Sequence, residues 1–386
     1  MSRIYLDHNA TTPLDPRVLD AMTPVLREGF GNPSSLHWFG QQARAAVDTA
    51  REQVAALIGA SPGEIVFTGS GTEADNMALR GAAAAAREPR RKVVYSTIEH
   101  HAVMNTAKAL AEEGVPVEAA RTGADGRLDL DDLGAKVDER TALVAAMLAN
   151  NETGVVEPVA EVVRIARERG ALVHCDAVQA AGKIPVDVRA LDVDTLALSA
   201  HKIYGPKGVG ALYVKRGTRL KAFVRGGSQE RNRRAGTENV AGIVGLGRAA
   251  QLAREELRTE SDRLSGLRDR LEVLLLAIPG AQRNGEGPRV PNTANVSFAG
   301  AEAESLVMAL DLAGLAVSTG AACAAGAVEP SHVLRAMGLP LERVQASLRF
   351  SLGRGTTPEH VDRAATLVAE AVEKQRKTSR AYAGRS

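Results

Sequence analysis

The sequence predicts an α/β fold: a large domain built on a mostly parallel sheet covered by helices, joined to a smaller α+β domain. Three observations predict it. From about residue 14 to 247, short apolar runs of strand composition alternate with Ala/Arg/Glu-rich helical stretches, the βαβ rhythm of a parallel sheet. A long charged helix, about residues 244–278, then interrupts that rhythm. Beyond it, two strand-like runs and two helical runs follow without βαβ spacing. A chain of 386 residues can bury two cores, and we place the large domain at 14–256 and the small one at 1–13 and 257–386.

The strands of the large domain read in order as Ile65-Val66-Phe67, Lys92-Val93-Val94-Tyr95, residues 143–147, residues 172–174 and Thr195-Leu196-Ala197-Leu198. Residues 161–169 form an amphipathic helix between two of them, and the alanine run 82–86 reads as helix and not as a linker. After a tight turn, residues 208–214 add one more strand. In the small domain, Asn295-Val296-Ser297-Phe298 and Leu348-Arg349-Phe350-Ser351 read as strands, with helices over 302–312 and 358–377. There is no internal repeat.

Composition excludes several classes. Hydrophobic residues make up 45% and charged residues 24%, which is globular and not disordered. A net charge of +2 gives no bulk attraction to nucleic acid or to a membrane. Arg225, Arg231, Arg233 and Arg234 cluster without interleaved aromatics, as interface or phosphate neighbours do, so no direct nucleic-acid contact is expected. No apolar stretch reaches membrane-spanning length, and the first seven residues do not read as a signal peptide. Two cysteines cannot make a disulfide framework, so a cytoplasmic setting is expected. Cys175 reads as strand packing; Cys323, among small residues, does not.

The run Ser199-Ala200-His201-Lys202 sits at the carboxyl end of a buried strand, the edge at which open α/β sheets bind ligands. A primary amine beside a hydroxyl and an imidazole suits a Schiff-base lysine with phosphate contacts, and Asp176, ending another apolar run, suits a pyridinium partner. By itself Lys202 is equally compatible with an ordinary solvated lysine. A second constellation, Thr68-Gly69-Ser70-Gly71-Thr72, follows the strand 65–67 and opens a helix. Small residues and free helix N–H groups there favour an anion, though a plain glycine-rich helix cap would look the same. It is no Walker loop, because no lysine follows the glycines.

Taken together, the motifs resemble the cysteine desulfurases, the NifS/IscS-like group of class V aminotransferase-fold pyridoxal-phosphate enzymes. The resemblance runs nearly end to end: Tyr5-Leu6-Asp7-His8-Asn9-Ala10-Thr11-Thr12-Pro13, Gly31-Asn32-Pro33-Ser34-Ser35, Glu99-His100-His101-Ala102, Asn150-Asn151-Glu152-Thr153-Gly154, the lysine motif, Arg233-Arg234-Ala235-Gly236-Thr237, Gly320-Ala321-Ala322-Cys323 and Arg349-Phe350-Ser351. It implies fold type I of the pyridoxal-phosphate-dependent transferases and a homodimer. It also implies pyridoxal 5'-phosphate attached to Lys202, its ring nitrogen against Asp176, and its phenolic oxygen bonded by Gln179 and Asn151. His100 would stack on the ring and serve proton transfers. The phosphate would meet Gly71, Thr72, Ser199 and His201, with Thr237 supplied by the partner subunit. Arg349 would clamp the substrate carboxylate, a task suited to a planar fork, with Asn32 in support. His8 and Asn9 replace other pairs found in relatives and are expected to be neutral.

The implied reaction converts L-cysteine to L-alanine and leaves the sulfur on Cys323 as a persulfide. That sulfur would go to an acceptor protein for iron–sulfur cluster assembly or tRNA thiolation. Selenocysteine lyase or class V aminotransferase chemistry, and a non-catalytic scaffold on the same fold, are the rival readings. Cys323 weighs against transamination, which needs no thiol. Residues 319–328 carry no side chain larger than valine, so the segment is expected to be mobile.

Overall fold

The computed structural model describes residues 3–319, 323–324 and 327–383, with backbone only at 323–324, 327–328 and 379–383. A seven-stranded sheet forms the centre, in the spatial order Ile65–Thr68, Gly210–Val214, Thr195–Ser199, Leu172–Asp176, Thr141–Ala145, Lys92–Ser96 and Val117–Ala120. Only Gly210–Val214 runs antiparallel to its neighbours; every other pairing in the sheet is parallel. The strand Val117–Ala120 escapes a sequence reading because it lies at the sheet's edge, half-buried, and lacks an apolar run.

Helices cover both faces, and the strands show why. Val144, Val173, Cys175, Leu196 and Leu198 point into one core with the helices Pro16–Glu28, Trp38–Leu57 and Val159–Glu168. Val66, Leu143, Ala145, Ala197 and Leu212 point into the opposite one with Gly71–Ala85 and His101–Glu112. A period of two sends successive side chains to opposite faces, so strands buried on both sides read as continuous apolar runs. That period also sends His174 and Asp176 to the face opposite Val173 and Cys175.

A second core forms around a three-stranded antiparallel sheet, ordered Ser347–Ser351, Thr293–Phe298, Ala281–Arg283. The helices Ala303–Leu312 and Pro358–Ala383 supply apolar residues to it, and Ile4 and Leu6 of the amino terminus join them. The strand Ile4–Tyr5 pairs in parallel with Leu315–Ala316. One helix, Val240–Leu276, serves both cores: Val240 to Ala253 contribute to the first, Leu264 to Leu275 to the second. The helix therefore passes from one core to the other between Ala253 and Leu264. Backbone strands Cys323–Ala324 and Ala327–Val328 pair antiparallel. The expected mobility of segment 319–328 falls largely outside the described residues.

Candidate active site

The carboxyl ends of the central strands open into a cavity of about 380 Å³. Its walls bring together Gly71, Thr72, His100, Asn151, Asp176, Gln179, Ser199, His201, Lys202 and Arg349 from positions up to 278 residues apart. Asn32 and Thr237 are exposed and do not line it, and the Cys323 side chain lies outside the described residues.

The anion end is built by the helix Gly71–Ala85. Ser70 caps it by accepting from Glu73 N at 3.1 Å, which leaves the first-turn amides pointing at the cavity. A Cβ on Gly71 would come within 2.8 Å of Val178 Cγ2, so only glycine lets the helix sit this close to the strand ends. The acid in that first turn does not repel an anion, because Glu73 is paired with Arg234 at 2.7 Å.

At the other end, Lys202 closes the short 3-10 turn Ala200–Lys202 after its strand, and its Nζ donates to the carbonyls of Asn9 and Ala10. Burial and the neighbouring Arg349 lower its pKa to about 8, with Asp176 and Asp7 pulling the other way. At neutral pH that raises the free-amine fraction on the order of 300-fold over an ordinary lysine. Asp176 is fully enclosed and burial lifts its pKa to about 6, while a bond from Val178 N and the charge of Lys202 favour the carboxylate. A cation placed against it would keep it ionised.

His100 is both a helix cap and a cavity residue. Its Nδ1 accepts from Ala102 N at 3.1 Å, and burial, with Lys202 and His101 nearby, holds its pKa at about 4. The ring is therefore neutral with its proton on Nε2, and in this arrangement it can stack or donate from Nε2 but has no free acceptor nitrogen. Arg349 is buried and half engaged: Nη2 donates to Asp7 Oδ1 at 2.8 Å and Nη1 to Asn151 O at 3.0 Å. Its Nε is buried without a hydrogen-bond partner.

Several cavity residues escaped the sequence reading. Asp75 holds His174 Nε2 at 3.1 Å, and Thr195 holds the other ring nitrogen at 2.9 Å, beneath the site. Glu152, pushed by burial to a pKa of about 7, accepts from Ser331. The signal for His174 was present, two residues before Asp176 and thus on its face of the strand. Asn9 is a buried hub of hydrogen bonds beside Lys202.

A search for known relatives matches residues 4–364 to the model for Aminotransferase class-V. The chain belongs to the class-V aminotransferase family. Within it, the chain falls among the cysteine desulfurases: it is 51% identical over 381 residues to a cysteine desulfurase from Trichormus azollae, covering 98% of this chain and 95% of that one. The fold matches a NifS-like protein with a TM-score of 0.91 at 39% identity, over 96% of this chain and 99% of that one. It also matches SspA solved in complex with cysteine, with a TM-score of 0.81 at 33% identity over 90% and 98% of the two chains.

Pyridoxal phosphate is the general cofactor of this class-V family, and the cavity residues fit it. The glycine-tight helix end suits the phosphate, and Asp176 suits a ring N–H⁺. The lowered Lys202 suits an amine that must attack a carbonyl. Asn151 Oδ1 is buried with no hydrogen-bond partner in the protein, as suits an amide that bonds a cofactor. Among the described residues there is no metal-ligating cluster and no helix long and apolar enough to cross a membrane.

Proposed function

We propose that this cavity binds pyridoxal phosphate and desulfurates L-cysteine, with Lys202, Asp176, His100, Arg349 and Cys323 as its working residues. The observation that carries this reading is the meeting of a low-pKa amine, an enclosed carboxylate, a helix N-terminus and a half-free guanidinium in one cavity. The cysteine complex of the similar SspA supports L-cysteine as the substrate.

Bound there, the cofactor supplies an electron sink that makes the substrate's Cα–H acidic. Arg349 orients the amino acid by its carboxylate through Nε–H and the remaining N–H groups on its two terminal nitrogens. Gln179, Asn151 and the phosphate contacts Gly71, Thr72, Ser199 and His201 hold the cofactor plane. Asp176 holds the proton on the ring nitrogen by its negative charge. Lys202, once free, is the base that takes the Cα proton, and a pKa near 8 keeps it close to working pH. The Cys323 thiolate attacks the substrate's Sγ: the S–S bond forms, the Cβ–Sγ bond breaks, and its electron pair stays with Cβ. Cβ takes up the proton that the thiols give up and Lys202 returns the proton to Cα, which yields L-alanine, and the persulfide remains on Cys323. Cys175 cannot compete, because it is buried in the sheet with its thiol pKa pushed up.

The protein works as a homodimer in the cytoplasm and passes its sulfur to an acceptor protein for iron–sulfur cluster assembly or tRNA thiolation. Exposed Phe30, Leu36, Trp38 and Phe39 beside Asn32 form an apolar patch that a second copy would cover, and exposed Thr237 is then available to the partner's phosphate.

The test is direct. Protein loaded with pyridoxal phosphate should convert L-cysteine to equimolar L-alanine and persulfide or sulfide. Lys202→Ala should lose turnover and all cofactor fixable by borohydride. Retention of fixed cofactor by Lys202→Ala, or no alanine from the wild type, would overturn the reading.

A further inference from the structure

Asn9 is 2% exposed and every hydrogen-bonding group it has is in use. Its side-chain Nδ2 donates to Asn151 O at 3.1 Å and to Thr293 Oγ1 at 2.9 Å. Its Oδ1 accepts from Lys183 Nζ at 3.3 Å and from Asn292 Nδ2 at 3.1 Å. Its main-chain N–H donates to Ser351 Oγ at 2.9 Å. These grips come from the three-stranded sheet (Thr293, Ser351) and from loops that follow strands of the central sheet (Asn151, Lys183), so the residue is clamped between the two. What the clamp holds in place is the main-chain carbonyl, which accepts from Lys202 Nζ and, at 2.9 Å, from Gln179 Nε2.

The amide orientations are forced. Asn151 O can only accept, so Nδ2 of Asn9 must face it and Oδ1 must face Lys183. Lys183 Nζ donates to Asn9 Oδ1 and to Gln179 Oε1, the latter at 2.5 Å. Gln179 is thereby turned with its Nε2 toward the Asn9 carbonyl and the cavity. Asn9 and Lys183 thus set the pose of Lys202 and Gln179, which line the cavity.

We propose that Asn9 is a positioning residue of this active site: its clamped side chain holds its own carbonyl as the resting place of the free Lys202 amine and as the partner that orients Gln179. The inference rests on Lys202 being the attachment point of pyridoxal phosphate. A carbonyl that accepts from Lys202 favours the ammonium and so limits how much free amine attacks the cofactor. The titratable and charged groups facing Lys202 from the surrounding elements are Asp7, Asp176, Lys183, Arg349, His100 and His201.

The experiment follows the rate at which apo-protein takes up pyridoxal phosphate between pH 6.5 and 9.5, read by absorbance, with unfolding temperature measured alongside. In Asn9→Ala the carbonyl loses its side-chain grips and keeps only the main-chain bond to Ser351 Oγ, and the midpoint of the pH profile should fall by about half a unit or more. In Asn9→Asp, a carboxylate of the same shape beside Lys183 and Lys202, it should rise by about as much. Asn292→Ala removes one grip between the cores while leaving Asn9 anchored by Nδ2 and Lys183. It should lose stability with its midpoint within about 0.2 unit of wild type. A midpoint unmoved in both Asn9 variants, or moved equally in Asn292→Ala, overturns the inference. Should Asn9→Ala fail to fold, the rise expected of Asn9→Asp decides, and its absence refutes. Failure of wild-type apo-protein to take up the cofactor would instead remove the reading on which the inference rests.

Discussion

Arg349→Lys tests whether this guanidinium is the carboxylate clamp. Of its five N–H groups, one on Nη2 serves Asp7 Oδ1 and one on Nη1 serves Asn151 O, while Nε is buried and unpartnered. Three N–H groups in one plane therefore remain for a substrate carboxylate. A lysine has three donors on a single nitrogen and a shorter reach. Keeping Asp7 leaves it no second coplanar N–H, so the forked contact is lost even though the charge is kept. A hydrogen bond to a charged group contributes about 1.5–3 kcal/mol, and about 1.4 kcal/mol is tenfold. Losing one such bond therefore lowers kcat/KM by roughly ten- to a hundredfold, carried mainly by KM, since the carboxylate is bound in the ground state and transition state alike. The assay is alanine formation against L-cysteine concentration at saturating pyridoxal phosphate, with cofactor uptake and unfolding temperature as controls. Cofactor uptake should not change, because Arg349 stands at the substrate end. A KM within twofold of wild type would show that the carboxylate is held elsewhere. An equal loss of cofactor binding would show that Arg349 acts by shaping the cavity.

Asp176→Asn removes the enclosed charge opposite the ring nitrogen. We expect kcat to fall by on the order of a hundred- to a thousandfold, as for other preorganised charges; near-wild-type kcat would assign that task to another acid. Cys323→Ala should bind cofactor and L-cysteine normally but release no sulfide and carry no persulfide. Persulfide found on Cys175 by mass spectrometry, with Cys323→Ala still active, would overturn the proposed sulfur route. For stability, burial lowers the pKa of His174 from 6.5 to about 3. The unfolded chain takes up that proton first, so the contribution is fully present above pH 6.5 and is lost as pH falls toward 3, by about 1.4 kcal/mol per pH unit. His8, His100 and His201, each lowered to about 4, act in the same sense, while raised Glu152 and Glu157 oppose it. Unfolding temperatures of His174→Gln and wild type measured at pH 7 and pH 5 should converge on acidification; a constant gap would show that His174 does not titrate on unfolding.

Local sequence determined a good deal of this protein. Period-two burial made the central strands legible as apolar runs, and the helices expected over 302–312 and 358–377 are found as Ala303–Leu312 and Pro358–Ala383. Lys202, Asp176 and the Gly71 turn were legible because each sits where a buried strand ends, and strand ends are where an α/β sheet exposes polar groups. Tertiary structure alone decided the rest. Asn9 looked interchangeable because its worth lies in partners 142 to 342 residues away in sequence, and no local pattern records such contacts. The resemblance implies Arg349 as a carboxylate clamp, but the engagement of two of its nitrogens by Asp7 and Asn151 O is visible only in the fold. His100 was legible as a functional histidine, yet its tautomer depends on a helix-cap bond that only the folded backbone supplies. The same holds for the pKa values of Lys202 and Asp176. They are set by burial and by neighbours from several separate elements, and a sequence names residues without stating how much water is left around them.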